Sequence, residues 1–203
     1  GRRSWQRRQH LSRKSLASDH TLTYLEAMTQ ARLSKQDWIS AGFAALQADG
    51  PSALKAEPLA RALNTTKGSF YWHFRDVPAF HQHMLAYWED EALTGLIAEI
   101  ETQSSPHTAL QKFVHLVAES SGTTPAIRAW AQSAPPVAQA LGEIDSARQK
   151  YLAALLKRAG VSNPDIAQAL YAAAIGQQLL PKSAQVASKS TLDTLVDLIL
   201  ALR

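Results

Sequence analysis

The chain of 203 residues contains no cysteine. This excludes disulfide bonds, thiolate-held zinc and a cysteine nucleophile, and leaves only histidine and carboxylate groups for metals. No apolar run approaches the roughly 20 residues that a membrane-spanning helix needs. The arginine-rich start lacks the apolar segment of a secretory signal. These absences lead us to expect a cytoplasmic protein with no membrane partner. There is no phosphate-cradling glycine loop, no HExxH pair, and no Ser, His and Asp in a recognisable catalytic context. We therefore expect no enzyme, no catalytic residue and no cofactor. His81 and His83 stand two apart, a spacing that does not bring side chains together on a helix, and His107 and His115 are no better placed. No metal site is expected.

With 46% hydrophobic and 19% charged residues, the chain can bury one large core or two small ones. Its net charge of +4 comes entirely from residues 1–27, where Arg2, Arg3, Arg7, Arg8, Arg13 and Lys14 face only Asp19 and Glu26. The remainder is formally neutral. A basic extension over 1–33 has two readings, an arm that follows a nucleic-acid backbone or minor groove, and a flexible solvated terminus. Met28 as the natural start is a third.

The most informative stretch is Ala56 to Phe74, AEPLARALNTTKGSFYWHF. Ala56, Leu59, Ala60 and Leu63 share one face of a short helix, with Pro58 tolerated in its first turn. Asn64 then supplies the left-handed residue that stops a helix. Thr66 caps a second helix over Lys67 to Phe74. Phe70 and Phe74, four apart, point inward, and Gly68, Ser69 and Trp72 are left on the outer face with Tyr71 and His73 on its flanks. Lys67 adds a charge at the phosphate-attracting end of the helix. A preceding helix from Ser34, with Trp38, Ile39, Gly42, Phe43 and Leu46 on one face, completes a three-helix unit over 34–75, closed by Asp49, Gly50 and Pro51. This is the pattern of a helix-turn-helix that reads double-stranded DNA.

The run TTKGSFYWHFRD, followed by a long helix, also resembles the DNA-binding domain of the TetR/AcrR transcriptional regulators. Lys67, Gly68, Ser69, Phe70, Tyr71, His73 and Phe74 match the family signature in turn. The chain departs from it at Asn64, where glycine is usual, at Lys55, where a Ser or Thr cap is usual, and at Val77, where lysine is usual. The resemblance implies that Val77 removes one contact to a DNA phosphate and that Arg75 replaces it. We expect Ser69 and Trp72 to meet base edges. Lys67, Tyr71 and His73 would hold phosphates, with Thr66 and Gly68 shaping the approach and Lys35, Lys55 and Arg75 adding backbone contacts. For Tyr71 and Trp72, ordinary packing is the competing reading.

Asp76 and Pro78 open a long helix running to about Thr102. Ser105-Pro106, Thr124-Pro125 and Asn163-Pro164 repeat a cap followed by proline, and each predicts a helix start. The remaining helices fall at roughly 106–119, 125–133, 136–159, 164–180 and 190–202. The fold class is therefore all-α, an N-terminal three-helix DNA-binding domain followed by a larger helical ligand-binding and dimerisation domain over 76–203. Leu170, Ala174, Gly176 and Gln178 on the penultimate helix, and Leu192, Leu195, Val196 and Ile199 on the last, offer more apolar face than one core needs. A homodimer built on a four-helix bundle is expected, with closure of the monomer core as the alternative. A pocket is expected among Trp88, Phe113, His115 and Leu116 and, across from them, Ile127, Trp130, Tyr151 and Tyr171. Its ligand would be a small, mainly apolar effector, and plain core is again the alternative. Arg128, Asp145 and Arg148 read as a structural ion-pair group, with a receptor for a carboxylate as the alternative. The expected function is a ligand-responsive transcriptional regulator, a repressor bound as a homodimer to a palindromic operator. The alternatives are a helical interaction protein or a small all-α enzyme that does not bind DNA.

Overall fold

The computed structural model describes residues 33–118, 122–180 and 188–202. The basic extension therefore lies outside the described residues up to residue 32. Helix α1 (Lys35–Asp49) opens on a reciprocal cap. The Asp37 amide donates to Ser34 Oγ at 3.2 Å, and Asp37 Oδ2 accepts from the Ser34 amide at 2.7 Å. Its buried residues are Trp38, Ile39, Gly42, Phe43 and Leu46, the face read from the sequence. Gly50, at φ 76°, ends it, and a 3-10 turn (Pro51–Ala53) leads to α2 (Ala56–Ala62).

Asn64 has φ 49°. The Thr65 amide donates to the Ala60 carbonyl at 2.9 Å and the Asn64 amide to the Arg61 carbonyl at 3.2 Å, which together make a Schellman stop. Leu63, expected on the inward face, is only half-buried because the chain is already leaving the helix there. Helix α3 (Lys67–His73) starts at Thr66, whose Oγ1 accepts from the Ser69 amide at 3.3 Å.

The rings of Trp38, Phe74 and Phe80 surround Phe70 at centroid distances of 5.3, 5.1 and 5.3 Å. Such pairs favour the tilted and edge-on geometries seen here. Phe80 belongs to α4 (Val77–Asp90), capped by Asp76, whose Oδ1 accepts from the Ala79 amide at 2.7 Å. That bond, with Arg75 beside it, holds the Asp76 carboxyl below its ordinary pKa.

The rod that begins with α4 does not remain α-helical. Glu91–Gly95 is a π turn, after which α5 (Leu96–Glu101) continues in helical conformation. Four helices follow: α6 (Pro106–Ala118), α7 (Thr123–Ala131), α8 (Pro135–Arg158) and α9 (Pro164–Gln177). The last described helix is α10 (Ser188–Ala201). Helix α6 is the centre of this body, packed by α5, α8, α9 and α10. Leu110, Phe113, Val114 and Val117 are completely buried within it.

Two of the three cap-proline starts hold. Asn163 Oδ1 accepts from the Asp165 amide at 3.0 Å, and Ser105 Oγ from the Thr108 amide at 3.2 Å. Thr124 is not a cap. It lies inside the first turn of α7, buried, and its hydroxyl accepts from the Trp88 indole N–H at 3.2 Å. Contacts divide the chain into Gly1–Asp37, of which residues 33–37 are described, and Trp38–Arg203, a compact unit containing α2 to α10 and most of α1.

Candidate DNA-reading helix and cavity

Phe70 and Phe74 fix the orientation of α3, and what remains of that helix faces outward. Trp72 is 78% exposed and Tyr71 46%, unusually open positions for large rings. Lys67 Nζ lies 6.0 Å from the Tyr71 ring centroid, so cation and ring sit together on the first turn. Gly68 is also exposed, and a Cβ placed on it would meet only Thr66 Oγ1, at an ordinary 3.6 Å. Packing within the protein therefore does not demand glycine there. A bare backbone in the first turn is suited to the close approach of something outside.

Ser69 and His73 are half-buried, and the His73 ring lies 6.2 Å from that of Phe74. Lys55, the N-cap residue of α2, makes no side-chain cap bond and is exposed. Arg75 is exposed and pairs with Asp76, Nε to Oδ2 at 2.9 Å. Lys35 is exposed in the first turn of α1, and Val77 is half-buried at the start of α4.

His81 joins the DNA-reading head to the body. Its Nε2 is 3.1 Å from the Leu54 carbonyl oxygen, and its ring meets Trp130 of α7 edge-on at 5.0 Å. Burial pushes its pKa below the ordinary 6.5, and the bond to Leu54 opposes that more weakly. As pH falls below 6.5 the unfolded chain takes up a proton that the folded ring resists, so folding stability declines through that window. In urea titrations at about pH 7.5 and about pH 5, His81→Gln should lose less stability on acidification than the unchanged protein. Equal losses would mean that another group carries the acid sensitivity.

A cavity of about 310 Å³ opens beside the π turn. Its walls are Phe43 of α1, Tyr87, Trp88, Glu91, Ala92, Gly95, Leu96 and Glu99 of the rod, Leu116 of α6, Thr123 and Thr124 of α7, and Arg148 of α8. Trp88 and Leu116 are the two of the eight expected pocket residues that line it. Phe113 and Ile127 are core, and Trp130 packs on His81. His115 Nε2 lies 2.9 Å from Asp193 Oδ1. The Tyr151 hydroxyl donates to Glu101 at 2.6 Å, and the Tyr171 hydroxyl to Asp145 at 2.8 Å.

Of the expected group of Arg128, Asp145 and Arg148, the first two pair directly and Arg148 meets them only through the Tyr171 hydroxyl. Arg128 grips Asp145 with two bonds of 2.8 and 2.6 Å, whereas Arg148 Nε donates to the Ala92 carbonyl at 2.7 Å, within the π turn. Sequence reasoning did not place Arg148 in the cavity, although the sequence carries a signal for it. It interrupts the apolar stripe Val137, Leu141, Ile144, Leu152 and Leu155 of α8.

Of the expected dimer residues, Leu170, Ala174, Leu192 and Val196 are buried in the body's own core, with Leu195 and Ile199 packed against it. Gly176 is half-buried and has open space where a Cβ would stand. The Gln178 side-chain amide donates to the Val117 carbonyl. Leu179, Leu180, Leu198 and Leu202 are exposed. Among the described residues no three His, Asp or Glu side chains gather in a way that could hold a metal, and no helix is long and apolar enough to cross a membrane.

A capped, outward-facing recognition helix on a three-helix head, carried by a helical body, defines a helix-turn-helix DNA-binding regulator. Residues 39–76 match the family described as bacterial regulatory proteins, tetR family. The fold is similar to the crystal structure of a transcriptional regulator from Rhodococcus sp. Rha1, with a TM-score of 0.64 and 19% identity over 84% of this chain and 95% of that one. A comparison with curated proteins finds no match. Residues 39–76 therefore make a TetR-family helix-turn-helix DNA-binding domain.

Proposed function

We propose that this regulator is an effector-responsive repressor that binds a palindromic operator as a homodimer. Helix α3 enters the major groove, where Ser69 and Trp72 meet base edges and Lys67, Tyr71 and His73 hold phosphates. Thr66 and Gly68 shape the approach, and Lys35, Lys55 and Arg75 add backbone contacts. The observation that carries this reading is the outer face of α3, where an open tryptophan, a bare glycine and a lysine stand on a helix locked from behind by Phe70. Two copies place two such helices about one turn of DNA, roughly 34 Å, apart. The exposed leucines 179, 180, 198 and 202, beside Gly176, supply apolar surface for the pairing.

The cavity receives a small effector whose larger part is apolar, against Trp88, Leu96 and Leu116. Its wall includes Phe43 of the head and a long run of the rod, so an occupant touches both parts that would have to move for DNA to be released.

Selection of bound fragments from the source genome, at low and high salt, tests the DNA reading, and recovery of a palindromic site is expected. On that site Lys67→Ala should weaken binding to every sequence alike and reduce the slope of log K against log salt by about 1. An unchanged slope would count against a phosphate contact at Lys67.

A further inference from the structure

Two polar side chains are buried among the described residues, Arg148 at 4% exposure and Thr124 at 5%, and both line the same cavity. Thr124 is accounted for by its bond from Trp88. Arg148 is harder to explain. Taking a guanidinium out of water costs several kcal/mol unless an opposite charge compensates it, roughly the scale of a buried ion's effective penalty. The chain meets this need at Arg128, which is less deeply buried, by giving it both oxygens of Asp145. Arg148 enters no ion pair among the described residues. Its Nε donates to the neutral Ala92 carbonyl, and the guanidinium also hydrogen-bonds the Tyr171 hydroxyl, so the Asp145 carboxylate, which that hydroxyl reaches and Arg128 already holds, stands one residue away from direct contact.

The two carboxylates on the cavity wall do not fill the gap. Glu99 is held by Lys112 at 2.9 Å, and Glu91 is exposed, where solvent and salt screen it. A guanidinium has five donors. With Nε on Ala92 and one bond to Tyr171, donors remain on its fork for a planar anion.

We infer that the effector carries one anionic group, a carboxylate, and that Arg148 is the residue that receives it. This rests on the reading of the cavity as the effector site. The remaining walls, Phe43, Trp88, Leu96 and Leu116, fix the rest of the molecule as a compact apolar or aromatic body. The volume of about 310 Å³ is at the lower end of ligand pockets, which span about 300–1,000 Å³. The ligand class is therefore a small monocarboxylate. Because the same guanidinium holds the carbonyl of Ala92, anion capture and the geometry of the π turn are joined at a single side chain.

The test is calorimetric titration of the full chain with three shape-matched probe sets: benzoate and phenylacetate, their amides, and benzylamine and phenethylamine. The carboxylates should bind about 10-fold or more tighter than the amides, the worth of a charge-assisted hydrogen bond. Arg148→Met should erase that preference while leaving the amide affinities in place. Should Arg148→Met fail to fold, Arg148→Lys keeps the charge but loses the fork, and is expected to weaken the carboxylates several-fold.

Carboxylates no tighter than amides, a preference that survives in Arg148→Met, or no binding by any set would each overturn the inference. DNA release is measured separately with each probe. An amine or amide that binds and releases DNA would leave the effector cavity standing and remove only its anionic ligand.

Discussion

Phe70→Ala is expected to cost about 3–5 kcal/mol, the range for removing a fully buried aromatic ring. Set against the roughly 5–15 kcal/mol that holds a typical domain folded, this is a large share of the total. Phe70 is completely buried and touches the rings of Trp38, Tyr71, Phe74 and Phe80. It thus ties α1, α3 and α4 together through one side chain. Helices α2 and α3 are seven residues each, far too short to persist without that support. Urea unfolding of the two proteins measures the difference, and operator binding should weaken in the variant. A loss below about 1 kcal/mol would mean that the neighbouring rings close over the gap, and that Phe70 is not the hub its contacts suggest.

The second large effect is expected at Asp145, on α8 of the body. Its carboxylate accepts two bonds from Arg128 and one from the Tyr171 hydroxyl. Both members of the ion pair have side chains only about one-fifth exposed, at 22% and 21%. Asp145→Ala strands a largely buried guanidinium and a buried hydroxyl together, at an expected cost of about 3 kcal/mol. The exposed pair Arg61–Glu57, at 3.4 Å, is of the kind worth only a few tenths of a kcal/mol by comparison.

A second readout separates the electrostatic cause from simple loss of packing. Burial first, and then the negative charge of Asp145, push the Tyr171 hydroxyl up to about 12. With the charge gone, absorbance titration should find that hydroxyl ionising at lower pH. A Tyr171 titration unmoved by Asp145→Ala would contradict this arrangement.

The parts of the protein that the sequence made readable are those built from near neighbours. The Ser34 cap, the inward face from Trp38 to Leu46, the left-handed Asn64, the Thr66 cap and the buried pair Phe70 and Phe74 each depend on residues within four or five positions of one another. At that range, spacing and residue type determine geometry. The cavity has no such local origin. It lies where α1, the rod, α6, α7 and α8 fail to close on each other, and its walls are therefore chosen by packing.

Choosing pocket residues by apolar or amphipathic character accordingly picks out Phe113 and Ile127, which fill the core, and passes over Arg148 and Thr124. Thr124 was concealed by the proline after it, which made it look like a cap. Its bond to Trp88, 36 positions away, is invisible to any local pattern. The π turn was equally hidden. Thr94 and Gly95 weaken an α-helix there without specifying a π turn, and the Ala92 carbonyl is held from outside by Arg148.

The rod from α4 to α5 buries every fourth residue from Phe80 through Met84, Trp88, Ala92 and Leu96 to Ile100, with Leu85 beside Met84. On an α-helix four residues advance about 6 Å along the axis and turn about 40° beyond a full circle, and the π turn takes back part of that rotation. The buried stripe is consequently a screw thread cut around the rod, engaged by the head at one end and by the walls of the cavity further along. A rod held by a thread does not slide freely. Any displacement that keeps its side chains seated also twists it, so a push delivered at the cavity would reach the recognition helix as a change of aim.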